Sequence, residues 1–164
     1  MHINNNTQWS KRTRLKSFDY IGPYRYFVTV SVYDKKVLFR AADVVDMTYG
    51  VLCEYSEKAR FRVLAFCFMP DHLHFLTEGQ DGESNLKSFI SRFKQVSGYR
   101  YKSDTGQKLW QSSYYEHVLR EEEASEKVSE YILENPVRGN LVAHYLDYPY
   151  SGSIWQKPLS GLKP

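Results

Sequence analysis

The stretch 68–76, Phe-Met-Pro-Asp-His-Leu-His-Phe-Leu, constrains the fold of this chain more than any other part of the sequence. It joins an apolar run over residues 62–68 to a second run that begins with His72-Leu73-His74, and the link contains the turn signal Pro70-Asp71. So short a link predicts an antiparallel β-hairpin, and its first strand is apolar on both faces, which is typical of an interior strand. Because side chains alternate along a strand, both imidazoles share one face.

Periodicity elsewhere predicts the remaining elements. They are a strand over 24–32, a helix over 43–55, a helix over 86–96, a strand over 114–119 and a helix over 121–134. The resulting order, β-α-β-β-α-β-α, matches the split β-α-β, ferredoxin-like arrangement of the α+β class, with an antiparallel sheet and two helices on one face. We expect the third helix to cross the end of the sheet near the histidines and to end at Asn135-Pro136, because proline disfavours a helical residue before it.

The length of 164 residues suits one domain spanning 1–164, with a basic lead-in at 1–20 and an irregular, surface-bound tail at 141–164. The two cysteines lack the paired spacing of a zinc site, and two cysteines make no disulfide framework, so we expect a reducing cytoplasm. No apolar run is long enough to cross a bilayer and no signal-peptide pattern is present, so we expect a soluble protein without a membrane partner.

Basic residues are unevenly distributed in a chain whose net charge is only +3. The N-terminal segment is basic up to Asp19, and the stretch 85–103 mixes lysine, arginine and aromatic residues without an acid. Such a mixture suits single-stranded or hairpin nucleic acid, since basic side chains contact phosphates and aromatic rings stack on bases, although a solvated helix face remains the alternative. The candidate DNA contacts are Arg12, Arg14, Lys16, Lys87, Arg92, Lys94, Arg100, Tyr114 and Tyr115.

The histidine pair has two interpretations from sequence alone. His72 and His74 form either a polar strip on a half-buried sheet or half of a metal site. An amide oxygen from Asn135 would complete a mixed nitrogen and oxygen set without thiolates, which favours Mg²⁺ or Mn²⁺ over structural zinc. Such an ion would act as a Lewis acid at a scissile phosphate.

Tyr131 is the candidate nucleophile because it lies four positions before Asn135, on the same face of a helix. Its attack on a DNA phosphodiester would form a 5′-phosphotyrosyl link and release a 3′-hydroxyl. Tyr114 and Tyr115 remain alternatives, and a tyrosine on an amphipathic helix is commonly a core residue. His117 is either an ordinary sheet histidine, which we favour, or a second contact of the site.

The chain resembles the REP-associated tyrosine transposases, a group within the single-tyrosine HUH transposases, from about residue 14 to residue 153. Five segments carry the resemblance in this order: Tyr26-Phe27-Val28-Thr29-Val30, Met69-Pro70-Asp71-His72-Leu73-His74-Phe75, Leu109-Trp110-Gln111, Tyr114-Tyr115-Glu116-His117-Val118-Leu119-Arg120 and Tyr131-Ile132-Leu133-Glu134-Asn135-Pro136-Val137-Arg138. The resemblance implies that His72 and His74 bind the metal, Tyr131 is the nucleophile and Asn135 completes the metal site. It further implies nicking and rejoining of single-stranded DNA beside repetitive palindromes that fold into hairpins.

The sequence departs from the family pattern at two places. The family usually continues Ala-Gly-Leu where this chain has Gly139-Asn140-Leu141, which makes the local turn uncertain. The family often has a basic residue where Ser112 stands, so a DNA contact could be weaker there. Neither departure touches the expected chemistry.

Three functions are compatible with these patterns. The first is a metal-dependent endonuclease and strand transferase with a tyrosine nucleophile, acting on DNA and on no small-molecule substrate. The second is a ferredoxin-like nucleic-acid-binding module without chemistry, and the third is a metal phosphodiesterase in which water attacks. A homodimer is compatible with the sequence, and Tyr131 could then serve either its own subunit or the partner.

Overall fold

A computed structural model describes residues 15–121 and 123–158 of the chain. The strands are β1 (Arg25–Ser31), β2 (Phe61–Met69), β3 (His72–Gly79), β4 (Tyr115–Val118) and β5 (Ser151–Ser153). The helices are α1 (Ala42–Lys58), α2 (Leu86–Thr105), α3 (Ser125–Leu133) and α4 (Asn135–Arg138). Within the described ranges, no helix combines the length and the apolar character that crossing a membrane requires.

The five strands form one antiparallel sheet in the order β4-β1-β3-β2-β5. The predicted hairpin is present, because β2 and β3 pair from Met69 opposite His72 to Phe61 opposite Gly79. The first four strands have the order expected of the split β-α-β arrangement, and the ferredoxin-like α+β prediction is confirmed. The central position of β3 places its histidines between β1 and β2.

Two hydrophobic cores lie on opposite faces of the sheet. On one face, Val28, Phe66 and Phe75 pack with residues of α1 and α2 such as Leu52 and Phe93. These two helices contact each other, as the sequence predicts for the covered face. The second core, on the other face, brings together a different set: Phe27, Ala65, Cys67, Leu76, Val128 and Ile132.

Helix α3 covers the second face, and this differs from the predicted position at the end of the sheet. It contacts β2, β3 and β5 through buried residues that include Val128 and Ile132. Its apolar residues repeat at helical spacing, so burial of that stripe needs a broad apolar surface, which the face of a sheet provides. The helix therefore lies on the face that carries the imidazoles.

The helix α2 is longer than the predicted 86–96 and reaches Thr105. The Asn85 side chain accepts a hydrogen bond from the Ser88 amide at 3.0 Å, which caps the first turn. The helix ends at Gly106, whose φ of +72° suits the left-handed turn that commonly stops a helix. The polar residues of its last turns carry little hydrophobic periodicity, which explains why that part escapes prediction.

The tail after residue 141 is not irregular throughout, and that part of the prediction is wrong. Residues 151–153 form β5 on the outer edge of β2, with Ser153 opposite Ala65, and Tyr148 is buried nearby. A Ser-Gly-Ser strand lacks the branched and aromatic residues that signal strands, so its pairing depends on the neighbouring edge rather than on its own composition. At the other end, Tyr20 is buried although it falls in the expected lead-in.

The chain continues in helical form past Asn135-Pro136, where the sequence predicts a stop. α3 ends at Leu133, but α4 follows directly, with Pro136 in its first turn, where its missing amide costs no helical hydrogen bond. Beyond α4, Asn140 has a φ of +53°. This is the position where the family usually has glycine, and asparagine is among the few other residues that tolerate the left-handed region. The turn is thus preserved with a different residue.

Candidate active site

His72 and His74 lie close together on β3, as their alternation predicts. Their Nε2 atoms are 3.0 Å apart, and the rings are 4.5 Å apart between centroids. Two ligands at right angles on an octahedral ion, each about 2.1 Å away, would lie about 3.0 Å apart. The two rings are at hydrogen-bond distance, and the same spacing of their nitrogens fits an octahedral divalent cation.

The Nδ1 atom of each imidazole, on the other side of the ring from Nε2, contacts a neighbouring side chain. Nδ1 of His72 is 2.5 Å from the Asp71 carboxylate, and Nδ1 of His74 is 2.7 Å from the Thr29 hydroxyl on β1. When both Nδ1 atoms carry their protons, the two Nε2 lone pairs face each other and favour a shared cation. Such second contacts orient metal-binding histidines and select the tautomer.

The charge state of His74 also suits a ligand. Burial is the largest influence that lowers its pKa well below the usual 6.5, and the neighbouring His72, Arg138 and Lys35 lower it further. The ring is therefore neutral at physiological pH. A neutral imidazole has the free lone pair that metal coordination requires.

The surroundings of the pair offer oxygen and nitrogen donors rather than thiolates. Cys67 lies opposite His74 on β2, but burial raises the pKa of its thiol well above the ordinary range. Among residues 15–121 and 123–158, no three His, Cys, Asp or Glu side chains are grouped closely enough to hold a metal. A cation at the histidine pair would therefore need further oxygen ligands from an amide, a phosphate or water. Binding of Mg²⁺ or Mn²⁺ at this mixed nitrogen and oxygen set stays a prediction.

Tyr131 lies on α3, above the same face of the sheet. Its ring packs edge-on against Phe27 at 6.0 Å between centroids, and Phe27 in turn stacks on His74 at 5.4 Å. The candidate nucleophile and the histidine pair are therefore linked through one intervening ring. Tyr131 is only half-buried, so its ring is accessible from solvent.

Asn135 binds the end of α3 rather than a histidine. Its Nδ2 donates to the backbone carbonyls of Tyr131, at 3.1 Å, and Ile132, at 3.2 Å. These bonds use the amide nitrogen and satisfy carbonyls at the end of a helix. In the described part of the chain no hydrogen bond joins Asn135 to either imidazole, and its role as a metal ligand stays a prediction.

Arg138 is a site residue that the sequence patterns did not single out. Its guanidinium carbon lies 4.2 Å from the centroid of the Tyr131 ring, and its Nη2 donates to the Tyr131 carbonyl at 2.6 Å. The seven-residue spacing was the available signal, since positions i and i+7 lie on one face of a continuous helical path. The pair places a permanent positive charge on the face of the candidate nucleophile.

Polar contacts fasten α3 to its own sheet. Ser129 Oγ lies 2.7 Å from Ser153 Oγ on β5 and donates to Gln156 Oε1 at 2.7 Å. At the start of the helix, Arg25 Nη1 donates to Ser125 Oγ at 2.6 Å. Because α3 is attached at its first residue and at its middle, the position of Tyr131, two residues after Ser129, is fixed over the sheet.

The predicted DNA contacts on α2 bind different protein groups. Lys87 lies over the Tyr20 ring, Arg92 bonds Gln95 of the same helix, and Arg100 pairs with Glu54 on α1. Lys16 is exposed near the start of the described residues, whereas Arg12 and Arg14 lie outside them. DNA binding by these residues stays a prediction.

The Lys94 ammonium binds backbone carbonyls of the protein, whereas a phosphate contact is expected to face solvent. Its ammonium donates to the carbonyls of Gln111, Ser112 and Ser113 at 2.7, 2.8 and 3.3 Å, and burial lowers its pKa. It therefore fastens the segment before β4 to α2. The same segment contains Tyr114, whose ring lies 5.8 Å from the ammonium.

Two grooves lie on either side of this segment. The first, about 610 Å³, runs along α2 and contains Lys94, Lys102 and Lys108. The second, about 520 Å³, lies where β1 extends past the start of β4, and we call it the β1-end groove. Its lining consists of Thr29, Ser31, Gln111, Ser113, Tyr114, Tyr115 and Glu116. Tyr115, the other alternative nucleophile, thus borders the β1-end groove on the edge strand.

His117 is accounted for by a structural contact. It is buried on β4, and its Nε2 lies 2.9 Å from the Glu123 carboxylate. The same carboxylate accepts a hydrogen bond from the Arg120 amide at 3.0 Å. The pair closes the connection from β4 toward α3, in agreement with the favoured interpretation of an ordinary sheet histidine.

A ferredoxin-like sheet with a histidine pair and a tyrosine-bearing helix on one face is the architecture of a single-tyrosine transposase. The family model for IS200-like transposases matches residues 23–135, and the chain belongs to this family. It is accordingly an enzyme that nicks and rejoins DNA.

Relatives and solved structures agree with this assignment. A Haemophilus influenzae protein with the provisional name REP-associated tyrosine transposase is 27% identical over 139 residues, 77% of each chain. The REP-associated tyrosine transposase of Escherichia coli K12 is 21% identical over 132 residues, 80% of this chain and 78% of that protein. The structure of a REP-associated tyrosine transposase bound to a REP hairpin superposes with a TM-score of 0.72 at 22% identity, over 94% of this chain and 88% of that one.

Proposed function

We propose that this transposase is a metal-dependent single-stranded DNA endonuclease and strand transferase that acts beside hairpin-forming repeats through a 5′-phosphotyrosine intermediate. The observation that carries the proposal is the common face of the histidine pair and Tyr131, which are linked through Phe27. The fold similarity to a transposase bound to a REP hairpin supports hairpin DNA as the partner.

In the first step, the Tyr131 Oη attacks the phosphorus and the bond from phosphorus to the 3′-oxygen breaks. The phenol loses its proton, the leaving oxygen gains one, and the products are a 5′-phosphotyrosyl link and a free 3′-hydroxyl. A 3′-hydroxyl then attacks the same phosphorus, and the phenol is released when the strand is resealed. The phosphodiester energy is conserved in the link, so no nucleotide cofactor is needed.

The remaining residues support these steps. His72, His74 and the amide oxygen of Asn135 would hold Mg²⁺ or Mn²⁺, which would supply Lewis-acid polarisation of the phosphate. Asp71 and Thr29 orient the imidazoles, and Arg138 contacts the face of the Tyr131 ring. Arg138 thereby adds a positive charge beside the phenol, and this charge also acts on His74.

A denaturing gel tests this function directly. The protein is incubated with Mn²⁺ or Mg²⁺ and a labelled single strand that bears a hairpin, and a covalent protein–DNA adduct is expected. Chelation of the metal and the variant Tyr131→Phe should each abolish the adduct. Tyr99→Phe is the matched control, because that tyrosine is 73% exposed on α2.

The alternatives give different results in the same assay. An adduct that persists in Tyr131→Phe would show that another tyrosine, such as Tyr114 or Tyr115, is the nucleophile. Cleavage without an adduct would indicate attack by water. Binding without cleavage in the presence of metal would indicate a non-catalytic module and would overturn the proposal.

A further inference from the structure

The β1-end groove lies directly beside the histidine pair. Thr29 and Ser31 line it from β1, and these two residues are the partners of His74 and His72 in the strand pairing. Since neighbouring strands are about 4.8 Å apart, the groove begins one strand from the imidazoles. Thr29 also contacts His74 through its hydroxyl. A nucleotide next to a phosphate held at the histidines would therefore reach this groove.

The walls of the groove suit an unpaired base. Tyr114 and Tyr115 supply aromatic rings, and Thr29, Ser31 and Ser113 supply hydroxyls. Bases in single strands are commonly bound by aromatic stacking together with hydrogen bonds from such polar groups. Its volume of about 520 Å³ lies within the range of small-ligand sites.

Gln111 lines both this groove and the groove along α2, and it provides the most specific group of the β1-end groove. Its side-chain amide carries both donors and an acceptor, and among the described residues it makes no hydrogen bond with other protein groups. A glutamine amide can pair with the edge of a base through two hydrogen bonds. The backbone of the same residue is fixed, because its N–H donates to the Ser31 carbonyl at 3.0 Å.

The segment 110–113, which contains Gln111, is held in place by side chains of α2. The Lys94 ammonium binds three successive carbonyls from Gln111 to Ser113, and Trp110 Nε1 donates to the buried Ser97 Oγ at 2.8 Å. These bonds order the loop, and they occupy the Lys94 ammonium, which is then less available to a phosphate. A binding site benefits from that rigidity, since less conformational freedom is lost when a ligand enters.

We propose that the β1-end groove is a subsite for one unpaired base that flanks the scissile phosphate, with Gln111 contacting the base edge and Lys94 positioning the loop. The inference rests on the proposed function and adds a source of cleavage-site preference within the single strand. Lys94 is a positioning residue here and does not contact the base.

Abasic substitution tests the subsite with the full-length protein. Hairpin-bearing oligonucleotides carry one abasic position at a time on either side of the mapped cut, and the rate of adduct formation is measured with Mn²⁺. At one position adjacent to the cut, loss of the base should slow the unmodified protein about tenfold. In Gln111→Ala the intact substrate should be slowed to a similar extent, and the further effect of the abasic site at that position should disappear.

Two further variants keep the result interpretable. Gln80→Ala is the matched control, because this exposed glutamine follows β3 at the opposite end of the strand from the histidines. Gln111→Glu retains the size of the side chain, and it should change which of the four bases is preferred at the sensitive position. Equal abasic effects in the unmodified protein and both Gln111 variants would overturn the subsite. Absence of any adduct with the unmodified protein would instead refute the proposed function.

Discussion

At the scale of single residues, the site is organised by side chains that do not react. Asp71 and Thr29 fix the two imidazoles through their Nδ1 atoms, so the Nε2 atoms are already 3.0 Å apart without rearrangement. Arg138 contacts both the ring and the carbonyl of Tyr131. Preorganisation of this kind avoids an entropic cost when metal and DNA arrive.

The hydroxyl of Thr29 gives a prediction about metal affinity. Thr29→Val removes the contact to His74 Nδ1 while keeping the size of the side chain. We expect the Mn²⁺ concentration for half-maximal adduct formation to rise about 10- to 100-fold, as for other contacts that orient metal-binding histidines. Thr48→Val is the control, because the Thr48 hydroxyl bonds the Val44 carbonyl within α1, away from the histidines. Equal Mn²⁺ dependence in both variants would contradict this role.

Arg138 gives a prediction about the nucleophile. Arg138→Ala should slow the maximal rate of adduct formation about tenfold, because it removes a cation over the phenol ring and a charged hydrogen bond to its backbone. Arg138→Lys should be intermediate, since lysine keeps the charge without the planar contact. Lys127→Ala, on an exposed position of α3, controls for the loss of positive charge. Weaker DNA binding with an unchanged maximal rate would assign Arg138 to binding alone.

At the scale of elements, hydrophobic periodicity was sufficient to predict those strands and helices whose own apolar residues are buried in the core. It predicted β1 to β4 and three helices, and the alternation in His72-Leu73-His74 placed both imidazoles on one face. It failed for β5, because Ser151–Ser153 is held by the edge of β2 and by polar contacts. Contacts such as those of Lys94 and Arg138 depend on tertiary structure and leave no periodic signal.

The attachment of α3 to β5 gives a prediction about stability. Ser129→Ala removes a buried hydroxyl that contacts Ser153 and Gln156, and we expect the free energy of unfolding to fall by about 1 kcal/mol. The rate of adduct formation should fall as well, because Tyr131 lies two residues further along the same helix. Urea unfolding measures the first effect and the gel assay the second.

Ser56→Ala is the matched control for this substitution. The Ser56 hydroxyl is also buried, but it bonds the Cys53 carbonyl within α1, and such a bond contributes little to helix stability. The unfolding midpoint of this variant should stay close to that of the unmodified protein. If both variants lose the same stability, the contacts between α3 and β5 are not what holds the helix.

At the scale of the whole molecule, the layers on the two faces of the sheet position the parts of the site. The α1 and α2 layer supports the sheet from one side, and α3 lies on the other side between the histidines and β5. Because Ser129 and Ser125 are bonded to β5 and β1 of the same chain, one chain can assemble the site without exchange of α3. We infer that Tyr131 serves the histidines of its own subunit, whether or not a homodimer forms.

Mixing two inactive variants tests this inference. His72→Ala lacks one metal ligand and Tyr131→Phe lacks the nucleophile, so each alone should form no adduct. In a mixture, exchange of α3 between subunits would combine Tyr131 of one chain with the histidines of the other, and an adduct would appear on the His72→Ala chain. We expect none, because the intact tyrosine and the intact histidine pair remain on different molecules. An adduct on that chain, identified by a difference in tag size, would show that the site is shared between subunits.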